Sequence, residues 1–293
     1  MIKPILQNRY RIIKQLKSGV FGGIYLAEDL NMPAIHKFQC VVKQLQPEVM
    51  NQRIIERFVQ EGETLLKLGQ NHSQIPKLFN FFEENQELYL VQEFIDGHDL
   101  SQEMTFGKQS SEIEVIKFLR EILEVLEYVH YHRYIHRDIK PANIMRRFRD
   151  GKLILIDFGL RKEINFLGQA PYSVDVGTPG YKPSEQINGT PMFSSDIYAV
   201  GMTAIQFLTG IPPHQFSKDN SGEVNWRHLA QVSDRLGNIL TRMLKNNFCE
   251  RYQNASEALQ ALIKLQPINL DFSQGLAAVN VGGRVSLFGS TAP

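Results

Sequence analysis

Cysteine, tryptophan and an excess of either charge are what this chain has least of. There are two cysteines, Cys40 and Cys249, far apart in the chain, too few for a disulfide framework and read here as free thiols of a reducing compartment. Lys and Arg number 32 against 31 Asp and Glu, a net charge of +1. That balance argues against nucleic acid as the main partner, since phosphate-tracking proteins usually carry a basic face, and leaves room for a local basic patch; no nucleic-acid partner is expected. No run approaches the ~18 uncharged apolar residues of a membrane span. Residues 1–10 lack the apolar centre of a signal peptide, and no segment repeats at a fixed period. A soluble, cytoplasmic protein is the expectation.

The 293 residues, 43% hydrophobic and 22% charged, exceed one average domain and suit a two-lobed one. Residues 9–17 alternate, and residues 24–27 and 40–45 are short apolar runs rich in β-branched side chains, which predicts strands. Within residues 53–68 the apolar positions Ile54, Phe58, Leu65 and Leu68 share one face, a helical spacing. Strands are predicted again over residues 76–82 and 87–94, joined by the polar turn 83–86. Beyond Asp96-Gly97 the texture becomes helical. Residues 111–132 are amphipathic and open at Ser110 or Ser111. Residues 195–208 are apolar on all sides, as a helix buried all round would be. Residues 233–244 and 255–265 form two further helical patterns. Residues 267–293 are rich in Gly, Ser, Ala and Asn and carry little charge, which reads as a linker or disordered tail; residues 279–288 within it (VNVGGRVSLF) have the pattern of a small hairpin.

Four motifs carry chemistry. Residues 16–25 (LKSGVFGGIY) lie between two predicted strands, and their glycines let backbone amides approach phosphates closely; alone, such a segment reads equally as an ordinary hairpin. Lys43 sits inside the apolar strand Val41-Val42-Lys43, where the bland reading is a solvated edge lysine. Pointed inward it needs an anion, and Glu56, Glu61 or Glu63 of the following helix serves on composition. Residues 136–143 (HRDIKPAN) place a carboxylate (Asp138), an ammonium (Lys140) and an amide (Asn143) within one short polar connection. Asp157-Phe158-Gly159 follows a predicted strand, nineteen residues after Asp138, and brings a second acidic oxygen ligand.

In this order the motifs resemble the eukaryotic-type serine/threonine protein kinases over residues 10–265, with wording (YLVQEFIDGHDL, GEVNWR) similar to a bacterial, cyanobacterial-like branch. The resemblance implies an α+β, bilobal protein kinase fold. Residues 1–94 would form a small antiparallel β-sheet lobe with helix C, and residues 95–266 a larger, mainly helical catalytic and substrate lobe. It implies ATP and Mg²⁺ as cofactors (Mn²⁺ in its place), and protein Ser/Thr hydroxyls as acceptors in bacterial signalling. By position, Asp138 resembles the catalytic base and Lys140 the residue steadying the phosphoryl group. Lys43 would hold the α- and β-phosphates, paired with Glu61, the helix-C acid of the family. Asn143 and Asp157 would bind the metal. Leu16, Gly19, Gly22, Ile24, Val41 and Met145 would enclose the nucleotide, with Glu93 and Ile95 as hinge contacts and Gln92 as gatekeeper. Leu65, Leu78, His136 and Phe158 would stack into a column joining the lobes, with Asp196 bracing His136. Residues 177–186 (GTPGYKPSEQ) are similar to the substrate-facing P+1 segment, and Arg251 to the partner of its closing acid, Glu185.

The sequence departs from that pattern in three places. Lys17 replaces the first loop glycine, Pro183-Ser184-Glu185 replaces Ala-Pro-Glu, and residues 211–231 carry two prolines, Gly222 and Trp226 where helix G is usual. That helix is expected to be short or missing. Val174 stands where a phosphorylated residue would pair with Arg137, which leaves Asp175 as the expected permanent anion and Ser173 or Tyr172 as phosphorylatable neighbours. The alternatives weighed are a pseudokinase scaffold and a small-molecule phosphotransferase.

Overall fold

The computed structural model describes residues 4–19, 22–33, 38–47, 50–158, 162–163 and 180–265. Strand β1 is Ile5–Leu6, β2 Tyr10–Gly19, β3 Gly22–Asp29 and β4 Gln39–Leu45; β5 is Leu78–Glu84 and β6 Glu87–Glu93. They form one antiparallel sheet in the order β1-β2-β3-β4-β6-β5. Strands β5 and β6 turn at Asn85 (φ 54°) and Gln86 (φ 64°), the left-handed pair of a tight type I′ hairpin. The turn is thus two residues long, shorter than its polar sequence implied. The extra edge strand β1 curls toward the far side of the sheet, where the Gln7 amide donates to Glu84 Oε2 at 3.0 Å. Leu6 closes a small core with Tyr10, Val42 and Phe82. Aromatic rings fill it, Tyr10 against Phe82 at 6.0 Å and Phe82 against Tyr89 at 5.1 Å, each burying far more area than an aliphatic side chain.

Helix α1 (Gln52–Thr64) starts where Asn51 Oδ1 accepts from Ile54 N at 3.0 Å, a side-chain cap on an otherwise orphaned donor. Its last turn widens into a π-turn over Leu65–Gly69, so the single helix expected to residue 68 is two geometries in series. Below the hinge, α2 (Glu112–Tyr131) opens on a capping box. Ser111 Oγ accepts from Glu114 N at 3.3 Å, and Glu114 Oε2 accepts from Ser111 N at 2.8 Å, which identifies Ser111 as the start. Helix α4 (Phe193–Thr209) is buried at every position from Ser194 to Ile205, as its uniform hydrophobicity required. Helix α3 is the short Ser184–Ile187; α5 (Asp234–Met243) and α6 (Ala255–Ile263) complete the lobe. A small ladder, β7 (Gly97–Asp99), β9 (Ile144–Arg147) and β10 (Leu153–Leu155), forms the floor under the sheet lobe, and β8 (Tyr134–Ile135) pairs β11 (Lys162–Glu163).

Between α4 and α5 there is no α-helix, only 3-10 turns at Pro213–Gln215 and Arg227–Leu229 and one bridge, Lys218 to Val224. Pro212 and Pro213 cannot donate to a helix ladder. Asp219 Oδ1 accepts from Ser221 N at 2.8 Å and Glu223 N at 3.0 Å, a turn of the Asx kind. Trp226 is buried against the lobe core. The expected loss of helix G is met by a hairpin. Among the described residues no helix is long and apolar enough to cross a membrane. Residues 266–293, with the tail and its hairpin pattern, lie outside the described residues, as do Tyr172, Ser173, Val174, Asp175 and Thr178.

Candidate functional site

Lys43 lies on β4, a strand paired on both sides, with Ile24 of β3 and Leu90 of β6 directly opposite. It is an interior lysine, not an edge one. Its ammonium forms an ion pair with Glu61 and a second, at 3.5 Å, with Asp157 Oδ1. The choice among the three helix acids is thereby made: Glu61 is buried on the face toward the sheet, whereas Glu56 and Glu63 are exposed. Burial of the Lys43 ammonium works against its charge, but Glu61 and Asp157 outweigh that effect and its pKa is raised. The same ammonium is the first cause holding the Asp157 carboxyl below its ordinary value.

Strands β2 and β3 pair up to the facing Gly19 and Gly22, with register shifts between Ile12 and Lys14 and between Gln15 and Lys17; Lys17 stays within β2 opposite Ile24, so β geometry survives there as expected. A Cβ on Gly22 would lie 1.9 Å from the Gln44 carbonyl oxygen, so only glycine allows β3 to start that close to β4. Leu16 is exposed, Ile24 half-buried and Val41 buried at the mouth of the interlobe cleft, with Met145 on the ladder below. Gln92 is buried, facing Val41 on one side and Leu78 on the other. Glu93 N donates to Lys77 O at 2.8 Å, which fixes the start of the connection through Ile95 into the lower lobe.

The segment from His136 to Asn143 is held by its own hydrogen bonds and by α4. Asn143 Nδ2 donates to Asp138 O at 2.9 Å and to Asp138 Oδ2 at 2.7 Å. Both amide hydrogens are therefore spent, and the side-chain oxygen remains as an acceptor. Lys140 Nζ lies 2.8 Å from Asp138 Oδ2. Ile156 N donates to Asn143 O at 3.0 Å, which ties the loop to the strand leading to Asp157. The free donor set, an amide oxygen and the carboxylate of Asp157, is all oxygen and fits a hard divalent cation such as Mg²⁺.

Two backbones here are strained: Arg137 at φ 70° and Asp157 at φ 67°, left-handed conformations that cost about 1–3 kcal/mol each. Arg137 is clamped from both sides. Its amide donates to Asp196 Oδ1 at 2.8 Å, and its carbonyl accepts from Gln186 Nε2 at 2.6 Å. Fully buried Asp196 also accepts from His136 N at 2.8 Å and from His130 Nε2 at 3.1 Å. His130 Nδ1 in turn accepts from Ala255 N at 3.1 Å, which places its proton on Nε2. One carboxylate thus joins α2, α4, α6 and the loop. His130 and Gln186 were not singled out from sequence. His130 stands four residues after Leu126 on the apolar stripe of α2, and a histidine in that stripe is the signal that was available.

His136 and Phe158 rings meet edge-to-face at 4.8 Å, and Leu65 and Phe158 belong to the main core, with Leu78 packed against it. Burial lowers the His136 pKa against the pull of Asp196, Asp138 and Asp157. Further out, Arg251 donates to Glu185 through both terminal nitrogens, at 2.7 and 3.2 Å, and Ser195 Oγ adds a third donor at 2.6 Å. Gly180 (φ 92°) lies so close to Pro213 and the His214 amide that a Cβ would approach them to 2.7 and 2.8 Å.

The family profile described as Protein kinase domain matches residues 10–264. Serine/threonine-protein kinase C of Synechocystis is 46% identical over 275 residues, covering 89% of this chain and 51% of that protein. Serine/threonine-protein kinase PknA of Nostoc is 44% identical over 272 residues, covering 89% and 48%. The chain thus spans about half the length of these curated relatives. The crystal structure of the Mycobacterium tuberculosis PknI kinase domain superposes with a TM-score of 0.71 over 91% of this chain and 100% of that one, at 23% identity, which speaks for the fold. With the profile running from the first long strand to the last helix, the chain belongs to the protein kinase domain family.

Proposed function

We propose that the chain is an ATP-dependent serine/threonine protein kinase of bacterial signalling. The observation that carries this reading is the Lys43 ammonium, shared between Glu61 and Asp157 across the cleft from the hydrogen-bonded group Asp138, Lys140 and Asn143. Phosphoryl transfer asks a protein for positioning and charge neutralisation, and these groups offer both. ATP would enter between Leu16, Ile24 and Val41 above and Met145 below, with adenine against the backbone of Glu93 and Ile95. The amides around Gly19 and Gly22 would cover the phosphates, and Lys43 would bind the α- and β-phosphates. Asn143 and Asp157 would hold Mg²⁺, which when bound neutralises charge on the phosphates. Asp138 would accept the proton of a Ser or Thr hydroxyl as its oxygen bonds to the γ-phosphorus, while the bond to the departing ADP breaks. Lys140, 2.8 Å from the Asp138 carboxylate, would lie close enough to steady the transferred group.

The division into residues 1–94 and 95–266 is part of the same proposal, since the strand lobe would close over the nucleotide. A pseudokinase has nothing in its favour: Lys43, Glu61, Asp138, Asn143 and Asp157 are all present and converge. The test is transfer of labelled γ-phosphate to a generic basic protein and to the chain itself, beside an aminoglycoside as competing acceptor. Label on serine or threonine, and none on the small molecule, is the expected result. Label on the aminoglycoside alone would overturn the proposal.

A further inference from the structure

A cavity of about 510 Å³ in the lower lobe lies outside the site just described and within the size range of small-ligand pockets. It opens beneath β7 and β9, beside the first half of α2 and the end of α4. Those two strands pair with His98 opposite Arg146 and Asp99 opposite Met145. Successive side chains of a strand point to opposite faces. Met145 therefore belongs to the proposed adenine floor, and its neighbour Arg146, with His98, lines the cavity behind it. The three-residue β7–β9 ladder separates the two spaces.

The chemistry of the walls is lopsided. Arg146 spends Nε and one terminal nitrogen on Glu103, at 2.7 and 3.1 Å, and its other terminal nitrogen on Gly151 O at 3.2 Å. His98 Nε2 lies 2.7 Å from the same Glu103 carboxylate. Each guanidinium nitrogen of Arg146, and Nε2 of His98, thus already has a protein partner on that wall. Across from them Glu114 receives Ser111 N and Oγ on Oε2 alone, and Glu121 receives Leu153 N and Gln74 Nε2 on Oε1 alone. Among the described residues no protein donor reaches the other carboxylate oxygen of either, and Lys117, exposed at the rim, forms an ion pair with neither. The floor is an aromatic pair, Phe118 and Phe207, with centroids 5.1 Å apart. Carboxylate acceptors and aromatic rings lining one cavity suit a cation on an apolar stem.

We infer that this cavity is a second ligand site, taking an ammonium or guanidinium group on an apolar stem, and that it is coupled to the nucleotide site through the β7–β9 ladder. The binding stands on the cavity alone; the coupling rests on the proposed ATP site. The same chemistry comes from a free amine or from a basic side chain of a peptide, so both are used as probes.

The experiment is calorimetric titration of the full chain with 2-phenylethylamine and with a capped Arg-Phe dipeptide, followed by titration of a fluorescent ATP analogue with and without each. The comparison protein is Glu114→Gln/Glu121→Gln, in which the amide oxygens retain the bonds from Ser111 and Leu153, and an unchanged melting temperature shows that it folds. The wild type should bind with Kd on the order of 1 mM, ordinary for ligands of this size. The double variant should bind about tenfold more weakly, having lost the charged acceptors. Analogue affinity should shift about fivefold on amine binding to the wild type and not in the variant, the lower end of the usual range of a coupling between sites. Tighter binding of the dipeptide identifies a basic side chain as the natural ligand, and tighter binding of the free amine a metabolite. No binding to the wild type, equal binding to both proteins, or binding that leaves analogue affinity unchanged would overturn the inference. If the amine binds and the analogue does not bind at all, the nucleotide site itself is refuted, and the coupling with it.

Discussion

Replacing Asp196 by asparagine isolates what its charge does, because shape and volume are nearly kept. The carboxylate accepts three N–H groups, from His136 and His130 on Oδ2 and from Arg137 on Oδ1. An asparagine oxygen in the Oδ2 position keeps the first two bonds without charge assistance. Its NH₂ group then faces the Arg137 amide, donor against donor. An orphaned buried donor costs about 1–3 kcal/mol, and two weakened bonds add about 0.5–1 kcal/mol each. The total is about 2–5 kcal/mol, or a fall in Tm of about 4–20 °C for a domain of this size. Arg137 at φ 70° would then lose one side of its backbone clamp while keeping the bond from Gln186, and Asp138 beside it would lose position. A displacement on the order of 1 Å at a reacting group costs about a hundredfold in rate, so kcat should fall further than KM for ATP rises. Scanning calorimetry and steady-state transfer to a protein acceptor measure the two effects. A Tm within about 2 °C of wild type, together with unchanged kcat, would refute the reasoning.

Lys43→Met should lower transfer by about two to three orders of magnitude while leaving Tm nearly unchanged, as read by transfer to a protein acceptor and by calorimetry. EDTA should abolish transfer and Mg²⁺ restore it, whereas restoration by Zn²⁺ alone would contradict the all-oxygen donor set of Asn143 and Asp157. Gly180→Ala, at φ 92° and against Pro213 and His214, should reduce turnover of protein acceptors and leave the affinity for an ATP analogue intact. Burial holds the His136 pKa below its ordinary value, so the unfolded chain binds the proton first. Its share of stability is then complete above about pH 6.5 and declines as the pH falls below that; urea titrations between pH 5 and 8 should show this slope, and a variant lacking His136 should show a shallower one, the rest coming from His72, whose pKa burial also lowers.

Much of this was legible in the chain itself, for reasons that differ from part to part. The long strands and helices follow from side-chain periodicity, which burial on one face enforces. HRDIKPAN and DFG were legible because fixed spacing puts their polar atoms on one short loop, whatever the surroundings. The choice of Glu61 over Glu56 and Glu63 needed the family resemblance, and the structure supplies the physical reason: only Glu61 lies on the face toward β4. What escaped is non-local. Strand β1 is two residues long and is made by its partner, not by its own propensity. The π-turn at Leu65–Gly69 keeps a helical pattern and changes only its winding. The bond from His130 to Asp196 spans 66 residues, and the cavity behind the ladder is shaped by four elements, none of which signals it alone.

The arrangement also explains why the strained backbones sit where they do. Arg137 and Asp157 precede, respectively, the Asp138 carboxylate and the Phe158 ring that docks on His136. A left-handed residue at each position turns the chain sharply, so that one side chain faces the cleft and its neighbour faces the core. At the first turn the buried neighbour is His136 and the cleft-facing one Asp138; at the second they are Phe158 and Asp157. The two buried rings then meet each other at 4.8 Å. The ring contact adds to the bonds of Ile156 with Asn143 and with His136 Nε2 in locking the loop to the strand end, and the carboxylates they carry are positioned by these contacts together. A substitution that removes the ring contact, such as Phe158→Ala, should loosen both carboxylates together, even though neither touches the altered atom.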